Sequence, residues 1–212
     1  MIQVEKVEAL SIQLHGMPVA VLSHYAGGKN ILVFHPEFLA LPVFERPIFT
    51  LRQKFDADYL TQVQIRTEKI PPVLSNLLPE GILREWVAQS LKCHITHEFA
   101  ILAYLGSNLP GAIVAKPIPA GQVPRWALEH RLNIEPLSID VQHVGQKFSL
   151  AGVQMKFSSS RKDHRFLINQ ELSEDIWIVK TPSTLHKGLT VNEFSCMHLA
   201  QAAGANTPDI QL

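Results

Sequence analysis

Apolar and polar residues alternate from the start of the chain. Leu10, Ile12 and Leu14 fall at every second position, Val19 and Val21 continue the pattern, and Ile31-Leu32-Val33-Phe34 is a short continuous apolar run. A period of two marks strands, and Ala26-Gly27-Gly28-Lys29-Asn30 marks a turn between the second and third. Residues 7–35 are therefore expected to form three strands joined as two hairpins. Residues 36–47 read as a short irregular or helical piece, residues 49–55 as a further strand, and Ile70-Pro71-Pro72 as a break. The period then lengthens. Ile82, Leu83, Trp86, Val87 and Leu91 recur at helical spacing. Phe99, Ile101, Leu102 and Leu105 mark a second helix, with Thr96 as its N-cap and Gly106 as the residue that ends it. Residues 111–115 read as a closing strand.

Residues 116–140 carry Pro117, Pro119, Pro124 and Pro136, a density that favours extended and turn backbone. They are expected to connect two parts of the chain, with a short helix at 125–129. From Val141 the pattern is again β. Residues 148–150 enter a turn at Ala151-Gly152 and residues 154–158 leave it. Residues 158–163 read as a polar hairpin loop, 165–169 as its return, and 176–179 as the next strand. Residues 190–203 have a helical pattern with Val191, Phe194, Met197 and Leu199 as its apolar contacts and Gly204 at its end; residues 209–212 begin a strand. The class is α+β. A small N-terminal sheet with a helical hairpin occupies residues 1–117 and a linker residues 118–140. An antiparallel sheet with one helix occupies residues 141–212.

Composition narrows the class. With 212 residues, 46% hydrophobic and 18% charged, the chain is long enough for a core and too apolar for disorder. Nineteen basic residues balance nineteen acidic ones, so no overall charge draws it to nucleic acid or membrane. Its two cysteines, Cys93 and Cys196, read as buried reduced thiols. No basic-then-apolar leader opens the chain and no apolar run is long enough to span a bilayer, so a cytoplasmic location is expected. Ten histidines are present, but none has metal-ligand spacing, and no metal ligand is expected.

One constellation can carry chemistry. Ser149-Leu150-Ala151-Gly152-Val153-Gln154-Met155-Lys156 sets small residues in a turn, and Lys180 closes the apolar run Ile176-Trp177-Ile178-Val179. Backbone N–H groups in a tight turn face phosphates well, and an ammonium pairs with them. On the residues alone an ordinary turn and a strand-end lysine reaching solvent explain the pattern as readily. Glu193 also has two readings. Thr190-x-x-Glu193 is a capping-box spacing, and a glutamate on this helix can instead pair with Lys180.

The same stretches resemble a known family. Ser149 through Lys156, then Ile178-Val179-Lys180-Thr181-Pro182, Asn192-Glu193-Phe194 and Gly204-Ala205-Asn206-Thr207-Pro208 are similar to the kinase N-lobe of the HipA family. These are serine/threonine-protein kinase toxins of bacterial toxin–antitoxin pairs. Gly16-Met17-Pro18-Val19-Ala20-Val21-Leu22 and Leu77-Leu78-Pro79-Glu80-Gly81-Ile82-Leu83-Arg84 resemble signatures of the family's N-terminal half. The resemblance implies that Ala151, Gly152, Val153, Gln154, Met155 and Lys156 lie over the phosphates of ATP. It implies that Lys180 pairs with those phosphates and that Ser149 is an autophosphorylation site. It further implies ATP with magnesium as cofactor of the complete kinase and a protein substrate in translation or tRNA charging. A helix-turn-helix (HipB-like) antitoxin, and DNA through it, would be its partners. The catalytic aspartate, its asparagine and the metal-holding aspartate belong to a C-lobe with no counterpart in these residues. The chain alone is therefore expected to be inactive. The alternative is a non-catalytic module that restrains a separate HipA-type kinase chain, or completes one by meeting a separate C-lobe chain.

Overall fold

The computed structural model describes residues 4–56, 58–129, 134–142, 156–162, 165–167, 176–182 and 186–212. The first sheet is built on β1 (Val4–Leu14), whose two edges are both occupied. His15 and Gly16, at φ 51° and 80°, turn the chain into β2 (Met17–Tyr25). Two successive left-handed residues match the right-handed twist of a tight hairpin, and glycine adopts that geometry without a Cβ penalty. A short 3-10 turn leads to β3 (Lys29–Phe34), which pairs antiparallel with β2. Both expected hairpins are present.

Residues 36–69 differ from expectation at one point. After helix α1 (Pro36–Ala40), residues 49–55 form a turn and the single-turn helix α2 (Arg52–Phe55), not a strand. The Gln53 side chain is the local cause. Its Oε1 accepts the Phe49 N–H at 2.8 Å and the Thr50 N–H at 3.3 Å, and its Nε2 donates to the Pro47 carbonyl at 3.0 Å. The backbone groups a strand would have offered to a neighbour are thus partly satisfied within the turn. The fourth strand is β4 (Gln64–Thr67), a polar stretch that ends the sheet beside β3. Helix α3 (Pro72–Ser75) follows the Ile70-Pro71-Pro72 break.

Helices α4 (Gly81–Ser90) and α5 (Glu98–Leu105) supply the expected helical pair. Leu83 and Val87 are buried, Trp86 and Leu91 are partly buried against the core, and Ile82 faces outward. Thr96 is not the N-cap of α5. The helix begins after His97, and the Thr96 hydroxyl is hydrogen-bonded to His94 Nδ1 at 2.8 Å. Gly106 does end α5 as its C-cap, with right-handed backbone that continues into a 3-10 turn. A Cβ there would lie 2.0 Å from the Ala115 carbonyl oxygen. Glycine is required for close approach to β5 (Ile113–Pro119), which pairs with β1.

The proline-rich stretch is tied to this same sheet. β5 runs through Pro117 and Pro119, the short helix α6 (Arg125–Leu128) follows, and β6 (Ile139–Gln142) pairs with the first residues of β1. The sheet order is β4-β3-β2-β1-β5, with β6 also on β1, and every pairing is antiparallel. One core holds Leu10, Ile12, Leu22, Leu32 and Phe34 against Phe38, Leu74, Leu83, Val87, Phe99 and Leu102. Ala127 of α6 packs with Ala9 and Val21 in a smaller second cluster. Burial of each large apolar side chain contributes about 1.5–3 kcal/mol.

The second sheet orders β8 (Arg165–Leu167), β7 (Lys156–Lys162) and β9 (Ile176–Lys180) as β8-β7-β9, again antiparallel. Residues 158–162, expected as a polar loop, are strand: 158–160 pair with β9 and 160–162 with β8. Helix α7 (Leu189–Ala202) follows, and Gly204 at φ 87° lies just beyond its end. Residues 209–212 form no strand: they have no regular structure, and three of the four are exposed. Val191 and Leu199 of α7 are exposed rather than packed. The cysteines are free, as expected of reduced thiols, but Cys93 is half-buried and Cys196 exposed. The α+β class is borne out: mostly antiparallel sheet accompanied by short helices.

Candidate functional site

The site is built from β7, β9 and α7. The register of β7 and β9 sets residue 156 directly opposite residue 180. Lys156, the first residue of β7, is therefore at the same end of the sheet as Lys180. Ser149, Ala151, Gly152, Val153, Gln154 and Met155 lie outside the described residues, and Lys156 is placed as the first residue of β7.

Lys180 is the last residue of β9, and its ammonium forms an ion pair with the Glu193 carboxylate on α7. The start of α7 decides which reading of Glu193 holds. Its N-cap is Gly188, at φ 76° and with no side chain to cap anything, and the Asn192 N–H donates to the Gly188 carbonyl at 2.8 Å. Thr190 is therefore inside the helix, and no capping box forms. Glu193 sits in the second turn, where it is available to Lys180. The side chains of Lys180 and Glu193 are 32% and 41% exposed. A pair this open to solvent adds at most about 1 kcal/mol to stability. The pair ties the end of β9 to α7.

Ile178 on β9 and Leu189, Val191 and Leu199 on α7 are all at least about one-third exposed, with Leu199 at 69%. Among the described residues no group of three or more histidine, cysteine, aspartate or glutamate side chains is assembled as a metal site. No helix among them is long and apolar enough to cross a membrane.

A second polar centre, absent from the sequence reading, lies in the first sheet's helical cover. Glu98 is buried, and its carboxylate accepts hydrogen bonds from the Ile70 N–H at 3.0 Å, the Ser75 hydroxyl at 2.9 Å and Arg84 Nη2 at 3.0 Å. Arg84 Nε donates to the Ile95 carbonyl at 3.0 Å. The arginine that closes the Leu77–Arg84 stretch is thus a fastener between α4 and α5. The sequence signal is a charged residue opening an otherwise apolar helix, a pattern that requires a partner.

Comparison with known proteins bears on both halves. Residues 10–116 match the family described as the HipA N-terminal domain, and residues 148–212 match the HipA-like C-terminal domain. A Sinorhizobium fredii protein named "Putative kinase Y4dM" is 32% identical over 210 residues, which is 98% of this chain and 49% of that protein. The "Serine/threonine-protein kinase toxin HipA" of Shewanella oneidensis is 26% identical over 161 residues, 69% of this chain and 35% of its own length. A second Sinorhizobium fredii protein, "Putative kinase Y4mE", is 28% identical over 156 residues, 66% of this chain and 37% of its own. The chain spans about half the length, or less, of the curated relatives it matches.

Proposed function

The chain belongs to the HipA family of kinase-like proteins, and from that premise we propose that it carries the nucleotide-phosphate half of an ATP-dependent serine/threonine-protein kinase of the toxin–antitoxin type. The observation that carries the reading is the Lys180–Glu193 ion pair, set on a strand whose register brings residue 156 opposite residue 180. An ammonium fixed in this way pairs with ATP phosphates, and a strand-to-helix glutamate keeps it oriented. Residues 151–156 would close over the phosphates with their backbone N–H groups. A phosphate on Ser149 would add about two negative charges beside them and repel the nucleotide. ATP would arrive as its magnesium complex, and the reading assigns no metal ligand to this chain.

Phosphoryl transfer itself needs a base and metal-holding carboxylates. In this reading a C-lobe supplies them, along with the surface that takes a protein substrate from translation or tRNA charging. A HipB-like helix-turn-helix antitoxin, and DNA through it, are proposed as partners of the complete kinase. The exposed apolar side chains on β9 and α7 favour a second reading beside the first, in which this chain completes a separate kinase chain by meeting its C-lobe; restraint of a separate kinase chain is the remaining alternative.

The test is calorimetric titration of Mg-ATP into the wild-type chain and the Lys180→Ala and Glu193→Gln variants. The reading expects nucleotide affinity to fall at least about tenfold in Lys180→Ala, equivalent to losing about 1.4 kcal/mol. Equal affinity in all three proteins rejects Lys180 as the phosphate ligand. Restraint of a separate kinase chain that is unaffected by Lys180→Ala supports the restraining alternative, whereas Lys180→Ala abolishes activity if this chain completes the kinase.

A further inference from the structure

The edge of the first sheet at β4 is open. Among the described residues, β4 pairs with β3 on one side and with nothing on the other. The Glu68 N–H donates to the Gly28 carbonyl at 2.8 Å, which extends the β3–β4 register by one hydrogen-bonded pair. Antiparallel pairs alternate, so Arg66 and Gln64 occupy the next hydrogen-bonded positions, and the N–H and C=O of Ile65 and the N–H of Thr67 face outward, while the Thr67 carbonyl accepts the Lys69 N–H at 2.8 Å. An open edge of this kind is a template for another strand.

A groove of about 670 Å³ runs along this edge, between β4, the start of α3 and the turn before α2. Its lining includes two guanidinium groups, Arg52 and Arg66, and no carboxylate. Arg52 is half-engaged: it bonds Asp56 at 3.0 Å and lies over the Tyr59 ring, 5.4 Å from its centroid. Arg66 is exposed and makes no ion pair among the described residues. Three carboxamides, Gln62, Gln64 and Asn76, line the same groove. The Nε2 of Gln64 is buried without a hydrogen-bond acceptor among the described residues. A buried amide donor without a partner costs free energy until an acceptor arrives.

We propose that the β4 edge and its groove form a docking site for an extended acidic peptide of a partner protein, which adds to the sheet as a further strand. The peptide's backbone bonds to the outward N–H and C=O of Ile65 and to the outward N–H of Thr67. Its carboxylates meet Arg66 and the free side of Arg52, and one of its carbonyl oxygens accepts from Gln64 Nε2. Main-chain pairing supplies affinity in this mode of recognition, and the alternate side chains supply choice of partner. The site lies on the first sheet and does not depend on the nucleotide reading.

The probe is a blocked, fluorescein-labelled octapeptide of alternating valine and glutamate, titrated into the full chain and followed by anisotropy. Controls are the same peptide with lysine for glutamate, a version with proline at alternate positions, and a single-stranded oligonucleotide of equal charge. The proposal expects the acidic peptide alone to bind saturably. It expects Arg66→Glu to weaken binding about tenfold, and amide exchange at Ile65 and Thr67 to slow when the peptide is present. Ile65→Pro removes one outward N–H without removing a bond to β3, and it too should weaken binding. Should that variant fail to fold, the exchange measurement on the wild type decides the matter. Binding unchanged by Arg66→Glu, no added protection at Ile65 and Thr67, or binding of the oligonucleotide in place of the peptide each overturns the proposal. So does absence of any binding, which would leave Arg66 as a charge that merely guards an edge.

Discussion

Glu98→Ala should be among the most damaging single substitutions in the first unit. The carboxylate is 4% exposed and holds three donors from three different segments: Ile70 before α3, Ser75 within α3 and Arg84 on α4. Truncation leaves the Ile70 N–H, in a residue only 2% exposed, without an acceptor, which costs about 1–3 kcal/mol. It also strands the Arg84 guanidinium, 18% exposed, with only its bond to Ile95. Removing one partner of a buried pair costs about 3–5 kcal/mol in total. With a urea slope of about 2 kcal/mol per molar, the unfolding midpoint falls by roughly 2 M. Equilibrium unfolding followed by tryptophan fluorescence reads this directly. The double variant Glu98→Leu, Arg84→Met replaces both charges with apolar groups of similar volume and should recover most of the loss. A midpoint shift in Glu98→Ala corresponding to less than about 1 kcal/mol would refute the view that this carboxylate ties the segments together.

Two further outcomes follow from the same core. Gly106→Ala places a methyl 2.0 Å from the Ala115 carbonyl oxygen and 2.8 Å from its Cβ, so β5 or the helix end must shift. The better helix propensity of alanine does not offset a clash with backbone, and a net loss of about 1–3 kcal/mol is expected in thermal or urea unfolding. His24 carries a pH dependence. Burial is the main cause that lowers its pKa below 6.5, and nearby His97 adds to it, while the hydrogen bond to Asn30 at 2.8 Å opposes it. A depressed folded-state value means that the unfolded chain binds the proton more readily. The contribution is therefore complete above pH 6.5 and is lost as pH falls through the lower folded value. Unfolding midpoints measured from pH 8 to pH 5 should decline over that window in the wild type and decline less in His24→Phe. Parallel declines in both proteins would remove His24 as the cause.

The parts of the fold that were legible in the sequence are those where burial writes the pattern. Leu10, Ile12, Leu14, Leu22 and Phe34 alternate or cluster because β1, β2 and β3 pack one face on the helices. Leu83 and Val87 recur at helical spacing because α4 buries one side. Signals failed where backbone bonding rather than burial set the conformation. β4 is polar and sits at an edge, so its residues carry no alternation. The segment at 49–55 looks apolar enough for a strand, yet Gln53 satisfies its backbone locally. That Gly106 ends α5 is legible, but its constraint is the space taken by Ala115, a long-range fact no local pattern encodes.

The Lys180–Glu193 pair shows how a local rule yields to a neighbour. The spacing Thr190-x-x-Glu193 satisfies the capping-box pattern as well as it satisfies a strand-to-helix ion pair. Gly188 breaks the tie. Its left-handed backbone starts the helix earlier than Thr190 would, moves Thr190 inside it, and leaves Glu193 two residues beyond the position that reaches back to the N-cap. With the cap role gone, the carboxylate meets the lysine that closes β9. The pair adds little to stability in so open a position. The proposed phosphate role of Lys180 therefore rests on the placement of the pair and not on its contribution to stability. A stability measurement on Glu193→Gln separates the two explanations. If the pair is chiefly structural, its loss should lower the unfolding midpoint clearly; if it orients Lys180, stability should change by no more than about 1 kcal/mol while Mg-ATP affinity falls.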